Sequence, residues 1–117
     1  MKKLLIVSLL LSLLTGCAPA LAPTPTKDTG RLQIVATVFP AYDFARAAAG
    51  DLADVQLLLP PGTESHSYEP TPADILAVQE CDLFLYLGGE SDAWVETILE
   101  SVDMQGEALR MVDCVDL

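Results

Sequence analysis

The chain has 117 residues, 51% of them hydrophobic, and its 17 acidic and 6 basic side chains give a formal net charge of −11 at pH 7. This length fits one small domain, and the acidic charge argues against a nucleic acid or an anionic membrane surface as a partner. The sequence has no G-x-S-x-G motif and no nucleophile at a recognisable spacing from its one histidine, which argues against an exported hydrolase and against enzymatic activity.

Residues 1–16 have the pattern of a signal peptide. A basic Met1-Lys2-Lys3 precedes Leu4–Leu14, an apolar run that is too short to cross a hydrocarbon core, which needs about 20 residues. The next residues, Leu14-Thr15-Gly16-Cys17, resemble a bacterial lipobox, in which a peptidase cuts before the cysteine and the thiol carries a diacylglyceryl group. We therefore predict lipid attachment at Cys17 and an extracytoplasmic protein anchored to the cell membrane. An ordinary cleavage site that leaves a free cysteine is the alternative.

Residues 17–30 contain many Pro, Thr and Ala residues and show no apolar periodicity. This composition is typical of a flexible tether, which would hold the folded part away from the membrane. A disordered N-terminus without a role would have the same sequence. We place the folded part, a partial N-terminal α/β lobe, at residues 31–117.

Four apolar runs in this folded part predict β-strands that are buried on both faces of a sheet. In chain order they are Leu32–Phe39, Val55–Leu59, Asp82–Leu87 and Met111–Leu117.

Three helices are predicted between these strands. Pro40 suits the first turn of a helix over Ala41–Ala49, and Gly50 is a suitable C-terminal stop. Thr71-Pro72-Ala73-Asp74 has the pattern of a capped helix start, and that helix continues to Cys81. A third helix opens at Ser91 and carries one apolar stripe, made of Trp94, Val95, Ile98, Leu99 and Val102.

The alternation of strands and helices predicts an α/β fold, a parallel sheet with helices on both faces and right-handed crossovers. The last predicted strand would have little to cover it. We therefore expect the chain to be the N-terminal part of a longer protein.

The one histidine, His66, lies in a loop that begins at Pro60-Pro61-Gly62 and follows the second predicted strand. In open α/β sheets, ligands bind beyond the carboxyl ends of the strands, so His66 is on the ligand-binding edge. A neutral imidazole binds Zn²⁺ well, but a metal site needs about three or four protein ligands. Glu64 and Glu69 are candidate co-ligands or orienting carboxylates. The alternative is that His66 is simply a polar loop residue.

Three stretches of the sequence resemble the metal-specific substrate-binding proteins of ABC transporters, the zinc and manganese receptors. They are "VATVFPAYDFARAAAGD", "LLLPPGTESHSYEPTPADILAVQECDLFLYLGG" and "ESDAWVETIL". The resemblance covers about residues 34 to 101, and its most specific part is the His-x-Tyr-x-Pro loop. The other matching positions are Pro40, Pro61-Gly62, Thr71-Pro72, Gly88-Gly89, and Glu90 with Trp94.

This resemblance implies a two-lobed periplasmic-binding-type fold, of which the chain would form an incomplete N-terminal lobe. It implies a receptor that captures Zn²⁺, or Mn²⁺, and delivers it to an ABC permease in the membrane. In that family the loop histidine is the first of about four metal ligands, and that role falls on His66. The prolines around Thr71 would stiffen the loop, and Trp94 is expected to be a core or groove residue outside the site.

Two alternatives to a transport receptor stay open at this point. One is a surface adhesin or interaction lipoprotein in which the metal is structural, and the other is a truncated remnant that binds no metal. A disulfide between Cys81 and Cys114 also stays open, because sequence spacing gives no information on its geometry.

Overall fold

A computed structural model describes residues 30–116, which form one four-stranded parallel sheet with helices between successive strands. The predictions of a signal peptide, of a lipidated Cys17 and of most of the tether lie outside the described residues. The elements are β1 Leu32–Ala36, α1 Phe39–Ala49, β2 Ala53–Leu57, α2 Pro72–Glu80, β3 Leu83–Tyr86, α3 Ala93–Ser101 and β4 Glu107–Arg110. The predicted parallel α/β architecture is therefore confirmed.

The strand order is β2-β1-β3-β4, with β1 paired to both β2 and β3. From β1 the chain first moves to one side of the sheet and then crosses to the other side. This reversal places the topological switch point between β1 and β3, where ligands bind in open α/β sheets. None of the helices in residues 30–116 has the length and apolar character needed to cross a membrane.

Helices cover both faces of the sheet, because alternate residues of each strand point to opposite sides. One face buries Ile34, Ala36 and Leu85 against α1. The other buries Val35, Phe84 and Tyr86 against residues of α2 and α3, among them Val78, Val95 and Ile98. This two-sided burial explains the nearly continuous apolar strands of the sequence.

The boundaries of the first three strands differ slightly from the predicted ones. β1 ends at Ala36, and Phe39 already starts α1 with Pro40 in its first turn. β2 begins earlier than predicted, at Ala53, but Leu58 and Leu59 extend the ladder by donating their backbone N–H groups to the carbonyls of Ala36 and Thr37.

The prediction of a fourth strand over Met111–Leu117 is wrong. The strand is Glu107–Arg110, and Met111–Cys114 is a 3₁₀ turn. The strand starts early because Gly106 lies directly against the backbone of Asp82, where a side chain would not fit. The N–H of Glu107 then donates to the Asp82 carbonyl at 3.1 Å and sets the register with β3. As an edge strand it is mostly exposed and lacks the apolar signal of its neighbours.

Candidate metal centre

His66 lies in a single 3₁₀ turn, Ser65–Ser67, in the connection between β2 and α2. The turn is therefore at the carboxyl edge of the sheet, as the sequence predicted. The imidazole is 68% exposed, and its Nδ1 atom lies 3.6 Å from Oε2 of Glu64, which is 76% exposed. The nearest carboxylate to the predicted ligand is thus the exposed side chain of Glu64.

The described residues do not supply a complete metal site. Within residues 30–116, no group of three or more His, Cys, Asp or Glu side chains is arranged to hold a metal ion. The structure brings Glu64 close to His66, whereas Glu69 is exposed and no contact with the imidazole is seen. This part of the chain therefore contributes one nitrogen ligand and one nearby carboxylate.

The residue before His66 fastens the turn to the rest of the domain. Ser65 Oγ lies 2.7 Å from Oδ1 of Asp92 and 2.9 Å from the backbone oxygen of Ser91. Asp92 is only 1% exposed. Its Oδ2 atom accepts hydrogen bonds from the backbone N–H groups of Leu87 at 2.9 Å and Gly88 at 3.3 Å. One buried carboxylate therefore joins the His66 turn to the end of β3.

Asp92 was missed by sequence reasoning, which placed the helix start at Ser91 and emphasised Glu90. In the structure, residues Glu90–Asp92 form a 3₁₀ turn and α3 begins at Ala93. The sequence does contain one hint, because an aspartate directly before the apolar stripe of α3 is typical of a residue that precedes a helix. This hint does not reveal that Asp92 is buried or that it pairs with Ser65 in a distant loop.

A second anchor follows His66 in the chain. The ring of Tyr68 packs edge-on against Trp94, with ring centroids 5.1 Å apart. The Tyr68 hydroxyl donates to Asp74 Oδ2 at 2.9 Å and lies 3.4 Å from the carbonyl of Leu58. Trp94 is partly buried and packs against the main hydrophobic core, as expected from its helical stripe.

Burial and the adjacent Asp74 carboxylate raise the pKa of Tyr68 to about 12, because both disfavour a phenolate. For Asp74, burial acts to raise the pKa, but hydrogen bonds from Thr71 and Tyr68 outweigh it and hold the pKa below its usual value. Near neutral pH the pair is therefore a protonated phenol that donates to an ionised carboxylate.

Thr71 and Asp74 form the predicted capping box at the start of α2. The N–H of Asp74 donates to Thr71 Oγ1 at 3.3 Å, and the N–H of Thr71 donates to Asp74 Oδ2 at 2.8 Å. Pro72 occupies the first turn. Asp74 thus accepts hydrogen bonds both from the start of α2 and from the Tyr68 hydroxyl. These bonds fix the end of the loop that carries His66 to the helix.

The two cysteines do not form the disulfide that the sequence left open. Cys114 is an exposed free thiol in the 3₁₀ turn after β4. Cys81 is buried at the end of α2, where its Sγ lies 3.2 Å from the carbonyl of Val78. Neither thiol is part of the His66 turn.

Comparison with known proteins identifies similar sequences. Residues 34–116 match the family described as ZnuA, zinc-uptake complex component A, periplasmic. The zinc-binding lipoprotein AdcA of Streptococcus pneumoniae is 37% identical over 97 residues, which are 83% of this chain and 19% of AdcA. The high-affinity zinc uptake system protein ZnuA of Bacillus subtilis is 39% identical over 79 residues, 68% of this chain and 24% of that protein. The chain thus spans 19% and 24% of the lengths of these two relatives.

Solved structures show the same fold. The Zn(II)-bound ZnuA-like domain of S. pneumoniae AdcA has a TM-score of 0.68 and 35% identity, covering 75% of this chain and 33% of that domain. The metal-dependent lipoprotein YcdH of B. subtilis has a TM-score of 0.67 and 35% identity, with coverage of 74% and 33%. The periplasmic zinc-binding protein TroA of Treponema pallidum, at 19% identity and a TM-score of 0.69, shares the fold over 75% of this chain and 32% of its own.

Proposed function

The chain belongs to the ZnuA family of zinc-uptake component A proteins, and from that membership we propose that it acts in an extracytoplasmic receptor that captures Zn²⁺ for an ABC importer. The observation that carries this proposal is the position of His66. The imidazole lies on the ligand-binding edge of a family fold, in the loop whose motif is the most specific part of the family resemblance. Zinc is favoured over Mn²⁺ because an imidazole nitrogen suits Zn²⁺ better than it suits Mn²⁺.

In this proposal His66 supplies a neutral nitrogen to the metal. A metal-bound histidine ordinarily donates its other ring N–H to a carboxylate, a carbonyl or water, which fixes the orientation of the ring. Glu64 is the carboxylate closest to Nδ1, at 3.6 Å. A small movement of this exposed side chain would bring it to hydrogen-bond length, and Nε2 would then face the metal. Further ligands would complete the site.

The delivery partner and the location are part of the same proposal. The receptor would pass its metal to a membrane permease, as the phrase "zinc-uptake complex component" in the family description suggests. Anchoring through lipid on Cys17 is supported by the lipobox-like sequence and by relatives named as lipoproteins. No observation on residues 30–116 favours the adhesin alternative. The family description supports a role in zinc uptake, and we propose that the chain has no catalytic role.

Calorimetric titration of Zn²⁺ tests the proposal. We expect His66→Ala to weaken the Zn²⁺ binding of the chain at least about ten-fold, the lower end of the range for losing a metal-orienting group. Glu107→Gln is the matched control, because Glu107 is an exposed carboxylate at the amino end of β4, on the opposite edge of the sheet.

The control should bind like the parent chain. Equal, weak binding by the parent chain and the His66→Ala variant would contradict a role for His66. A loss of affinity in Glu107→Gln as large as in His66→Ala would indicate that the acidic surface as a whole attracts the cation.

A further inference from the structure

The buried carboxylate of Asp92 has no evident use in its own helix. Asp92 is the residue directly before α3, where an aspartate usually accepts a hydrogen bond from an N–H of the first turn. Here its side chain makes no such bond. Both carboxylate oxygens instead accept from outside the helix, from Ser65 and from the backbone at the end of β3. A carboxyl group that is only 1% exposed thus joins two loops.

We propose that Asp92 is a positioning residue for the metal ligand His66 and acts through the hydroxyl of Ser65. This inference rests on the proposed function, since it gives Asp92 a part in holding the ligand of that site. Ser65 immediately precedes His66, so fixing Ser65 fixes the backbone from which the imidazole projects.

The Ser65–Asp92 bond has the geometry of a strong interaction. Its length of 2.7 Å is the usual length of a well-formed hydrogen bond between a hydroxyl donor and an oxygen acceptor. The alternative acceptor of Ser65, the Ser91 carbonyl, is farther away at 2.9 Å. The two backbone N–H groups satisfy Oδ2, so the Ser65 hydroxyl is the donor that satisfies Oδ1. Leaving a buried carboxylate oxygen without a donor costs free energy. Moving the Ser65 hydroxyl away from Oδ1 is therefore unfavourable.

The turn depends on the bond from Ser65 to Asp92 because few of its own side-chain atoms are buried. None of the residues Ser65–Ser67 is fully buried, and His66 itself is exposed. After His66, the chain is fixed by Tyr68 through Asp74 and Trp94. Before His66, the chain is fixed by the side-chain hydrogen bond from Ser65 to Asp92. The two anchors bracket the ligand, so the loop is restrained while the imidazole stays accessible.

The test compares Ser65→Ala with Ser67→Ala in the full chain. Both changes remove one hydroxyl next to His66, but Ser67 Oγ makes only an exposed contact of 3.4 Å with the Glu64 carbonyl. Ser65→Thr keeps the hydroxyl and serves as the rescue variant. Each variant is measured in two ways, by calorimetric Zn²⁺ affinity well below its unfolding temperature and by ¹H–¹⁵N heteronuclear NOE of the backbone of residues 64–68 without metal.

We expect Ser65→Ala to weaken Zn²⁺ binding about ten-fold, as loss of an outer-shell partner does in other metal sites, and to lower the NOE values across the turn. Ser67→Ala and Ser65→Thr should resemble the parent chain in both measurements. A merely structural bond would lower the unfolding temperature of Ser65→Ala without changing the affinity of the folded protein or the local NOE values. That result would overturn the proposal.

The two measurements separate this inference from the proposed function. If His66→Ala binds Zn²⁺ as the parent chain does, the proposed role of His66 fails, and the NOE values in the metal-free protein still decide whether the bond from Ser65 to Asp92 fixes the turn. If Zn²⁺ binds through His66 but the NOE values of Ser65→Ala equal those of the parent chain, the receptor function stands and the positioning role is wrong.

Discussion

The two faces of the sheet are packed with side chains of different size. On the α1 face, four of the six buried residues are alanines, namely Ala36, Ala41, Ala45 and Ala53. On the α2 and α3 face the buried set contains no alanine. It includes Phe84, Tyr86, Leu58, Leu59 and Ile98, and Phe84 and Tyr86 stack with centroids 5.8 Å apart. The small side chains of the α1 face let the helix approach the sheet closely. The α2 and α3 face instead stabilises the fold by burying a large apolar area.

Only the second face is continuous with the candidate metal centre. Tyr68 and Trp94 pack against its core, and they belong to the connection that carries His66 and to α3. The α1 face has no such link to the His66 turn among the residues that pack there. Substitutions in the large-residue face should therefore change the His66 turn, whereas substitutions in the alanine face should change only the stability of the fold.

The largest expected effect comes from emptying the large-residue face. Phe84 is 0% exposed, in the middle of β3. Phe84→Ala should lower the free energy of unfolding by about 3–5 kcal/mol, since it removes a buried ring and leaves a cavity. Denaturant unfolding followed by circular dichroism measures this change.

Phe44→Ala is the matched control, because the side chain of Phe44 is 67% exposed on α1. It should change the free energy of unfolding by less than about 0.5 kcal/mol. Equal effects of the two substitutions would mean that the ring of Phe84 is not a main component of the core.

A smaller effect is expected from overfilling the alanine face. Ala41 is buried on α1 against the sheet, so Ala41→Leu should cost about 1–3 kcal/mol of unfolding free energy through strain. Ala47→Leu, at an exposed position of the same helix, should be nearly neutral because both residues favour helices.

The same pair also tests the separation of the two faces. At temperatures where the Ala41→Leu variant stays folded, its backbone amide chemical shifts over residues 64–68 should match those of the parent chain. Shift changes in the His66 turn as large as those in α1 would contradict the idea that the alanine face is independent of the candidate site.

The features that the sequence predicted well are those whose cause is local. The capping box of Thr71 and Asp74 depends on residues three apart, and the strands around Val35 and Phe84 are apolar because both of their sides are covered. The histidine was placed at the correct edge because a loop that follows a parallel strand lies there by topology.

The features that the sequence did not predict depend on partners far along the chain. Strand β4 starts where Gly106 meets the backbone of Asp82, and its exposed edge position removes the apolar pattern. The role of Asp92 depends on Ser65, 27 residues away. No periodicity or spacing rule reports such pairs. For the same reason the sequence left open whether Cys81 and Cys114 form a disulfide, which the structure shows they do not.

The smallest expected effect concerns the link between the large-residue face and the His66 turn. Tyr68→Phe keeps the edge-on contact with Trp94 but removes the donor to Asp74. We expect a loss of about 1 kcal/mol of unfolding free energy near neutral pH, the typical net value of one hydrogen bond. Burial, followed by the hydrogen bond to Asp74 and its charge, raises the pKa of Tyr68 to about 12 in the folded chain, so the fold is more stable with the phenol protonated than with it ionised.

That stabilisation is complete below pH 10, the ordinary tyrosine pKa, and is lost as the pH rises through about 12. Titration of tyrosinate absorbance measures it directly. The parent chain should show one component that ionises near pH 12 and is missing from Tyr68→Phe. If Tyr68 instead ionised at its ordinary pKa, the hydroxyl would be neither buried nor held by Asp74, and the turn that carries His66 would lack its second anchor to the core.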